Sequence, residues 1–442
     1  MKKFLLTVVF AFALHGFLFA QDEQDSTTTQ LTEQVDELQG QVEGINETVL
    51  SMKSILDALQ RIKISGYIQT QYQSAESNGT LAAFQGGVFA PDQHNRFMVR
   101  RGRLKVSYDN DYSQYVLQID ATEKGVSLKD AYIVVKEPWM KTFALKGGVF
   151  DRPFGFEISY SSSIREAPER SRLFQTLFPG ERDLGASIEI FPTSGPLSNF
   201  NFKGGLFSGN GVGVDINNPQ DLIGRLGFTL PFYDANFEID GGISGYYGKV
   251  RLAQDKFLYI VDSPTIATVD SFTNVQDIDR NYLGFDLQLY YDLPIIGGFS
   301  LRGEYISGKQ PSGPLTSVSP TGSSLSTTGQ FLTDVYLREF AGYYINYVQN
   351  LGTKFQLIVK YDVYDPNTSV SGNEIGNVPA AKLGPADIKF STLGYGLVYY
   401  WDDNVKFTAY YDMVYNETTD KITRYNTKLL DNVFTFRMQY KF

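Results

Sequence analysis

Arg101, Arg103 and Lys105 occupy alternate positions in the stretch Arg96–Asp109. In a strand, residues two apart share a face, so these three form a cationic stripe. Ser107 extends that stripe, and Leu104, Val106 and Tyr108 take the opposite face. A second basic group lies in the irregular stretch Phe150–Asp183, where Arg152, Arg165, Arg170, Arg172 and Arg182 are mixed with Glu157, Glu166, Glu169, Glu181, Asp151 and Asp183. Lys146, Lys203, Arg225, Arg302, Lys360 and Arg437 also fall on polar faces of alternating segments. Rings of arginine and lysine around a pore favour anions. The acids interspersed with them, among them Asp120, Asp130, Glu189, Asp286, Glu304 and Asp362, turn that field into a mixed one of modest preference. We take Arg101, Arg103, Lys105, Lys146, Arg152, Arg165, Arg170, Arg172 and Arg182 as the candidate anion path. Pairing of the Arg101–Lys105 stripe with acids is the alternative.

Other chemistries find little support. The 442 residues contain no cysteine and two histidines. His15 lies in a segment expected to be removed, and His94 stands without visible partners. A Ser-His-Asp triad and histidine or thiolate metal sites therefore lack their parts, and no cofactor is expected. Gly303–Gln310 approximates a phosphate loop, but Gln310 replaces the required Ser or Thr and no strand-to-helix pattern surrounds it. The net charge of −10 comes largely from residues 21–60, and no basic face suggests nucleic acid.

The elements that position the stripe are short strands. From Ile62 onward the hydrophobic pattern has period two: Phe434, Phe436, Met438, Tyr440 and Phe442 alternate with Thr435, Arg437, Gln439 and Lys441. Sixteen such runs are expected, near 62–74, 96–109, 112–121, 127–137, 140–149, 184–192, 199–208, 221–231, 236–250, 280–293, 298–309, 333–349, 353–364, 389–401, 403–416 and 431–442. Short connections alternate with long ones at 75–95, 150–183, 209–220, 251–279, 310–332, 365–388 and 417–430. Charged residues on one face and aromatics near strand ends on the other fit a transmembrane barrel better than a sandwich with a dry core. The expected fold is all-β: a 16-stranded antiparallel transmembrane β-barrel over 61–442, preceded by a short α-helical coiled coil. An even count of this size leaves a water-filled lumen.

Ahead of the barrel, residues 1–20 read as a secretory signal peptide, with Lys2 and Lys3 before an apolar core. Residues 21–60 read as a periplasmic coiled coil, with Leu31, Val35, Leu38, Val42, Ile45, Val49, Met52, Leu56 and Leu59 in steps of four and three. Valine at three of the a positions leans towards two strands. A single amphipathic helix against the barrel is the alternative. Within 150–183, Pro153, Pro168 and Pro179 forbid a regular strand or a long helix. A structureless insertion of this length is functional or disordered. We expect it to fold inward and narrow the lumen; an ordinary surface loop is the alternative.

Arg100-Arg101-Gly102-Arg103-Leu104, Asp130-Ala131-Tyr132-Ile133, Gly148-Val149-Phe150, Pro153-Phe154-Gly155 with Glu157, Glu169-Arg170 and Arg182-Asp183-Leu184-Gly185 together resemble the phosphate-selective porins O and P of Gram-negative outer membranes. The C-terminal aromatic strand ending in Phe442 resembles the assembly signal of such barrels. The resemblance implies a homotrimer in outer-membrane lipid that passes small hydrophilic solutes or inorganic anions. It also places Arg101, Arg103, Arg152, Arg165 and Arg170 near the constriction. The acidic outer loops 251–279 and 365–388 depart from that pattern, since the family would have lysines there. A structural reading, a barrel anchor whose coiled coil tethers the envelope, belongs to a different class.

Overall fold

Period-two alternation translates directly into architecture. The computed structural model describes residues 2–80, 83–213, 215, 218–261, 267–320, 330–331, 333–376 and 383–442. It divides into two units, Met1–Ile62 and Lys63–Phe442. The first is one helix, Lys2–Gln60. All nine residues of the apolar heptad seam, Leu31 to Leu59, are exposed along it. The expected signal peptide lies where side chains fall outside the described residues, which for side chains exclude 1–28 and 30. Among the described residues no helix is long and apolar enough to cross a membrane, which says nothing about strands.

The second unit is a closed antiparallel barrel. Its wall strands are Ile62–Ala75, Asn95–Asp109, Ser113–Thr122, Gly125–Lys136, Phe143–Asp151, Arg182–Ile190, Phe200–Phe207, Asp221–Phe232, Phe237–Leu252, Gln276–Tyr291, Phe299–Ser312, Val335–Leu351, Phe355–Asp365, Phe390–Tyr400, Val405–Asn416 and Val433–Lys441. Of the 19 strands in the sheet, three short ones, Lys256–Val261, Ala267–Phe272 and Gln330–Phe331, belong to loops. Sixteen remain in the wall among the described residues, as expected. The barrel closes where Tyr67–Ala75 of the first strand pair with Val433–Lys441 of the last. Closure removes both sheet edges, so every wall strand satisfies its backbone groups laterally.

The last strand shows the sorting most clearly. Phe434, Phe436, Met438 and Tyr440 point outward and stay exposed, while Thr435, Arg437 and Gln439 point inward and are buried. At the short-turn end the outward face becomes an aromatic belt. Phe232 stacks on Phe237, Phe237 meets Tyr291, and Tyr291 meets Phe299. Further round the wall Phe355, Tyr399 and Phe407 continue it. Such a belt suits rings that sit between lipid and water.

At the long-loop end, the stretch expected as loop 251–279 carries a hairpin instead. Lys256–Val261 pairs antiparallel with Ala267–Phe272 and parallel with Val335–Leu337 region residues of the wall. Leu258 is held in a small apolar cluster with Leu252, Ile278 and Val335. Residues 257–261 form a continuous apolar run rather than an alternating one, so period two did not mark them as a strand.

Candidate functional site

The stretch between the fifth and sixth wall strands turns inside the barrel. Asp151 and Arg182 are register partners at its neck. Just inside, Arg152 Nε donates to Asp183 at 2.9 Å, with both side chains buried. Pro153-Phe154-Gly155 then redirects the chain. Gly155 sits at φ +62°, and a Cβ there would lie 2.2 Å from Glu304 Oε2 on the eleventh wall strand. Only glycine meets both demands at once. Glu304 accepts the backbone N–H of Phe156 at 2.8 Å, the N–H of Glu157 at 2.6 Å and the Tyr344 hydroxyl at 2.6 Å. A six-residue helix, Arg172–Leu177, fits between Pro168 and Pro179. The Ser171 N–H and hydroxyl ahead of it donate to the Glu157 carboxylate at 3.0 and 2.6 Å.

One face of this segment is apolar and packs dry against the wall. Phe154, Ile158, Leu173, Phe174, Leu177 and Phe178 share a buried cluster with Tyr246, Tyr282, Ile306, Phe340, Tyr344 and Tyr364, which project inward from wall strands. The barrel is therefore no empty cylinder. A water-filled lumen narrowed by this segment was expected; on this side the narrowing is complete, because aromatic side chains from the wall pack against the segment rather than face water.

The other contacts are ionic, and the glutamates make them. Glu157 pairs with Lys360 at 2.9 Å and Glu166 with Arg302 at 2.9 Å. Glu169 receives Arg100 at 2.8 Å, Arg101 at 2.9 Å and Arg437 at 2.7 Å. Backbone carbonyls add to this: Lys406 donates to Arg165 O at 3.1 Å and Arg437 to Pro168 O at 2.7 Å. With Gln69 of the first strand, which donates to Ser162 O at 2.9 Å, strands one, two, eleven, thirteen, fifteen and sixteen are tied to one segment. Each such charge would be costly to bury alone and is tolerated because its partner is buried with it.

The candidate residues divide into two groups. Arg101 bonds Glu169 and Gln69, and Arg103 bonds Asp120 at 3.1 Å and Ser162 Oγ at 3.1 Å. Lys105 is half-buried opposite Gln118. Lys146 lies 3.7 Å from both Asp151 and Glu189. Arg182 holds Asp130 at 2.9 Å and Glu181 at 2.7 Å. The arginines within the segment mostly serve it. Arg165 donates to Ala167 O and Pro168 O. Arg170 gathers the carbonyls of Glu157, Ile158 and Tyr160 and bonds Glu181. Arg172 lies between the rings of Phe84 and Phe390, 4.3 and 4.1 Å from their centroids. The segment's glutamates occupy the wall's cations while its own arginines bind inward.

Ionisation follows these pairings. Burial alone would raise the Glu169 carboxyl, but Arg100, Arg101 and Arg437 hold it well below the usual carboxylate range. Burial likewise opposes Lys360 and Ser171 at Glu157, and the partners win. Burial beside Arg170 and Arg101 pulls Arg165 down to about 9, which still leaves it charged at neutral pH.

Space remains beside and beneath the segment. A cavity of about 550 Å³ touches Tyr160, Glu166, Glu238, Tyr290 and Arg302. One of about 410 Å³ is bounded by Lys146, Arg152, Ser187 and Lys203. A third of about 290 Å³ brings together Arg100, Arg101, Arg103, Lys129 and Arg170 with Asp120, Glu169 and Glu181. Arg165, Arg172, Arg182 and Lys105 contribute to none of these three.

Two features escaped the sequence reading. Strict alternation turns Arg100 outward, away from Arg101; both instead reach Glu169. The register of this strand with the next begins only at Arg103, so above that point the strand has no neighbour on that side, although it also pairs with the first strand. Glu304 read as one acid among several on polar faces, and only Gly155, as part of a motif, hinted that something must approach the turn closely.

No protein-family model matches this sequence, and no curated protein matches it. Solved structures do share its fold. OprB of Pseudomonas putida, in its high-pH structure, is 9% identical with a TM-score of 0.54, over 89% of this chain and 96% of that one. An anion-selective porin from Comamonas acidovorans is 10% identical with a TM-score of 0.52, over 86% and 99%. The outer membrane channel DcaP of Acinetobacter baumannii is 11% identical with a TM-score of 0.50, over 86% and 97%. At such identities the likeness carries the fold, a porin-type barrel.

Proposed function

We propose that this chain is an outer-membrane porin giving passive diffusion of small hydrophilic solutes and ions, with a weak anion preference that extends to phosphate. The observation that carries this reading is the sorting of the wall: apolar and aromatic side chains outside, charged ones inside, with one long segment tied across the interior. The fold is shared with an anion-selective porin, and residues 150–183 act in this reading as the constriction. Arg101, Arg103, Lys105, Lys146, Arg152, Arg165, Arg170, Arg172 and Arg182 are proposed to set the anion path. Arg101, Arg103 and Arg170 do so at the third cavity, Lys146 and Arg152 at the second and Lys105 from the wall opposite Gln118, while Arg165, Arg172 and Arg182 hold the segment's shape. The acids paired with them keep selectivity low. Assembly as a homotrimer, the signal peptide and a periplasmic coiled coil over 21–60 belong to the same proposal, as does kinship with the phosphate-selective porins O and P. Reversal potentials of single channels in a salt gradient, with chloride and then phosphate, test it. Anion preference is expected; cation preference, or no conduction by the folded barrel, overturns it.

The exposed heptad seam favours a second reading, a barrel anchor whose helix tethers the envelope. Deletion of 21–60 separates the two, because a porin still conducts and a tether loses its role.

A further inference from the structure

Four neighbouring wall strands set one row of side chains at the short-turn end. Pro231 of the eighth lies opposite Glu238 of the ninth, Glu238 opposite Tyr290 of the tenth, and Tyr290 opposite Ser300 of the eleventh. Alternation from the buried Gln288 and Arg302 turns Tyr290 and Ser300 inward, and the row with them. All four residues border the cavity of about 550 Å³, a volume that suits a small ligand. On the side of the inward segment the cavity is bounded by groups that satisfy one another. Glu166 accepts from the Tyr160 hydroxyl at 3.0 Å and from Arg302 at 2.9 Å. The Tyr160 ring stacks on Phe156, with centroids 5.1 Å apart, and carries the Arg302 guanidinium 4.8 Å from its centroid.

The row itself is left short of positive charge. Among the described residues the Glu238 carboxylate has neither a hydrogen-bond donor nor a cation within 4.0 Å, and the same holds for Asp292 at the exposed edge of the cavity. Asp240, two residues along on the same face as Glu238, keeps its Oδ1 buried without a donor. Arg225 of the neighbouring strand is bonded to Asp286 instead. Glu238, Tyr290 and Pro231 are all part-exposed, so solutes in the lumen reach them. The Tyr290 ring is open as well: among the described residues no second ring and no cation packs on it. Its neighbour on the side away from Glu238 is the small Ser300. Directly opposed side chains on paired strands stand about 4.5–5.5 Å apart at Cβ. One cation can therefore touch the Glu238 carboxylate and the face of the Tyr290 ring together, and both attract it. A bare inorganic cation would leave the apolar surface at Pro231 idle, whereas an alkyl chain covers it.

We propose that this cavity binds small organic cations, a primary ammonium seated between the Glu238 carboxylate and the Tyr290 ring with its alkyl chain towards Pro231. The proposal uses the porin reading only for the route by which the solute arrives.

The test follows butylammonium chloride by ligand-detected NMR on the full-length protein in detergent, with butanol, butyrate and potassium chloride as comparisons. Butylammonium is expected to bind saturably and butanol and butyrate much more weakly, with potassium at equal concentration displacing little of it. Glu238→Gln should weaken butylammonium about tenfold, the scale of one charge-assisted contact, and Glu238→Asp should retain most of the affinity. Tyr290→Leu should weaken it several-fold, and Tyr290→Phe, which keeps the ring, should not. Unchanged heat resistance in gels shows that each variant barrel is intact, and the comparison of ligands on the parent protein stands without the variants. Butanol as tight as butylammonium, complete displacement by equal potassium, unchanged affinity in Glu238→Gln, or equal losses in Tyr290→Phe and Tyr290→Leu each overturns the site. Bilayer recordings of the same preparation keep the two proposals apart: conduction without butylammonium binding sinks only the pocket, and binding without conduction sinks only the porin.

Discussion

Glu304 and Glu157, 147 positions apart, meet through a 2.6 Å hydrogen bond from the Glu157 backbone N–H to the Glu304 carboxylate. That contact fixes the turn at which the chain leaves the wall and enters the interior. The carboxylate accepts from two consecutive N–H groups and a tyrosine hydroxyl, an arrangement that only an oxygen with several lone pairs can satisfy.

Removing that acceptor should loosen the segment while leaving the wall intact. In Glu304→Ala two backbone N–H groups lose their partner in a buried site, at about 1–3 kcal/mol each. Single-channel records should show larger and noisier conductance than the parent, with unchanged heat resistance of the barrel in gels. Identical records would remove Glu304 from any role in holding the segment.

Gly155→Ala should act through the same turn. The added Cβ meets the Glu304 carboxylate and an unfavourable positive φ together. Its effect on conductance should resemble that of Glu304→Ala. Combined, the two should fall well short of additive, because they disable one contact. Full additivity in conductance or stability would show that they act separately.

Acid should release the segment over a defined window. Glu157 and Glu169 have folded pKa values below the ordinary range. Their contribution is therefore complete above the unfolded value of about 4.3 and is lost as pH falls through the folded value. Conductance should stay constant from pH 7 to about 5 and change only below about 4. Glu169→Gln, which leaves Arg100, Arg101 and Arg437 facing a neutral group, should show the loosened state already at pH 7. A transition centred near pH 6 in the parent would point to other groups.

Ion preference should respond to the cations of the third cavity. Arg101→Ala and Arg170→Ala should each lower the anion-to-cation permeability ratio, read from reversal potentials in a salt gradient. Arg172→Ala removes a guanidinium held between two rings, away from the three cavities, and should leave the ratio nearly unchanged while raising protease sensitivity near Phe84. Unchanged selectivity in both Arg101→Ala and Arg170→Ala would take them out of the pathway.

The sequence by itself determined the wall. Side-chain period in a strand is a local property, so Phe434 to Lys441 could be sorted into outward and inward faces from eight residues alone. The same held for sixteen runs, their alternating short and long connections and the closure that an even count permits. Pro153, Pro168 and Pro179 also sufficed to exclude a regular strand or a long helix across this stretch, which holds the short helix Arg172–Leu177. Which charge meets which was decided only in three dimensions. Glu169 gathers Arg100, Arg101 and Arg437 because strand closure brings residues more than 300 positions apart to one height in the barrel. Arg100 reaches Glu169 where its strand has run beyond its pairing with the third wall strand. The arginines of the inward segment turn upon their own carbonyls because the wall's cations are already taken by its glutamates. Coulomb attraction and desolvation depend on distances set by register and closure, and no spacing along the chain encodes those.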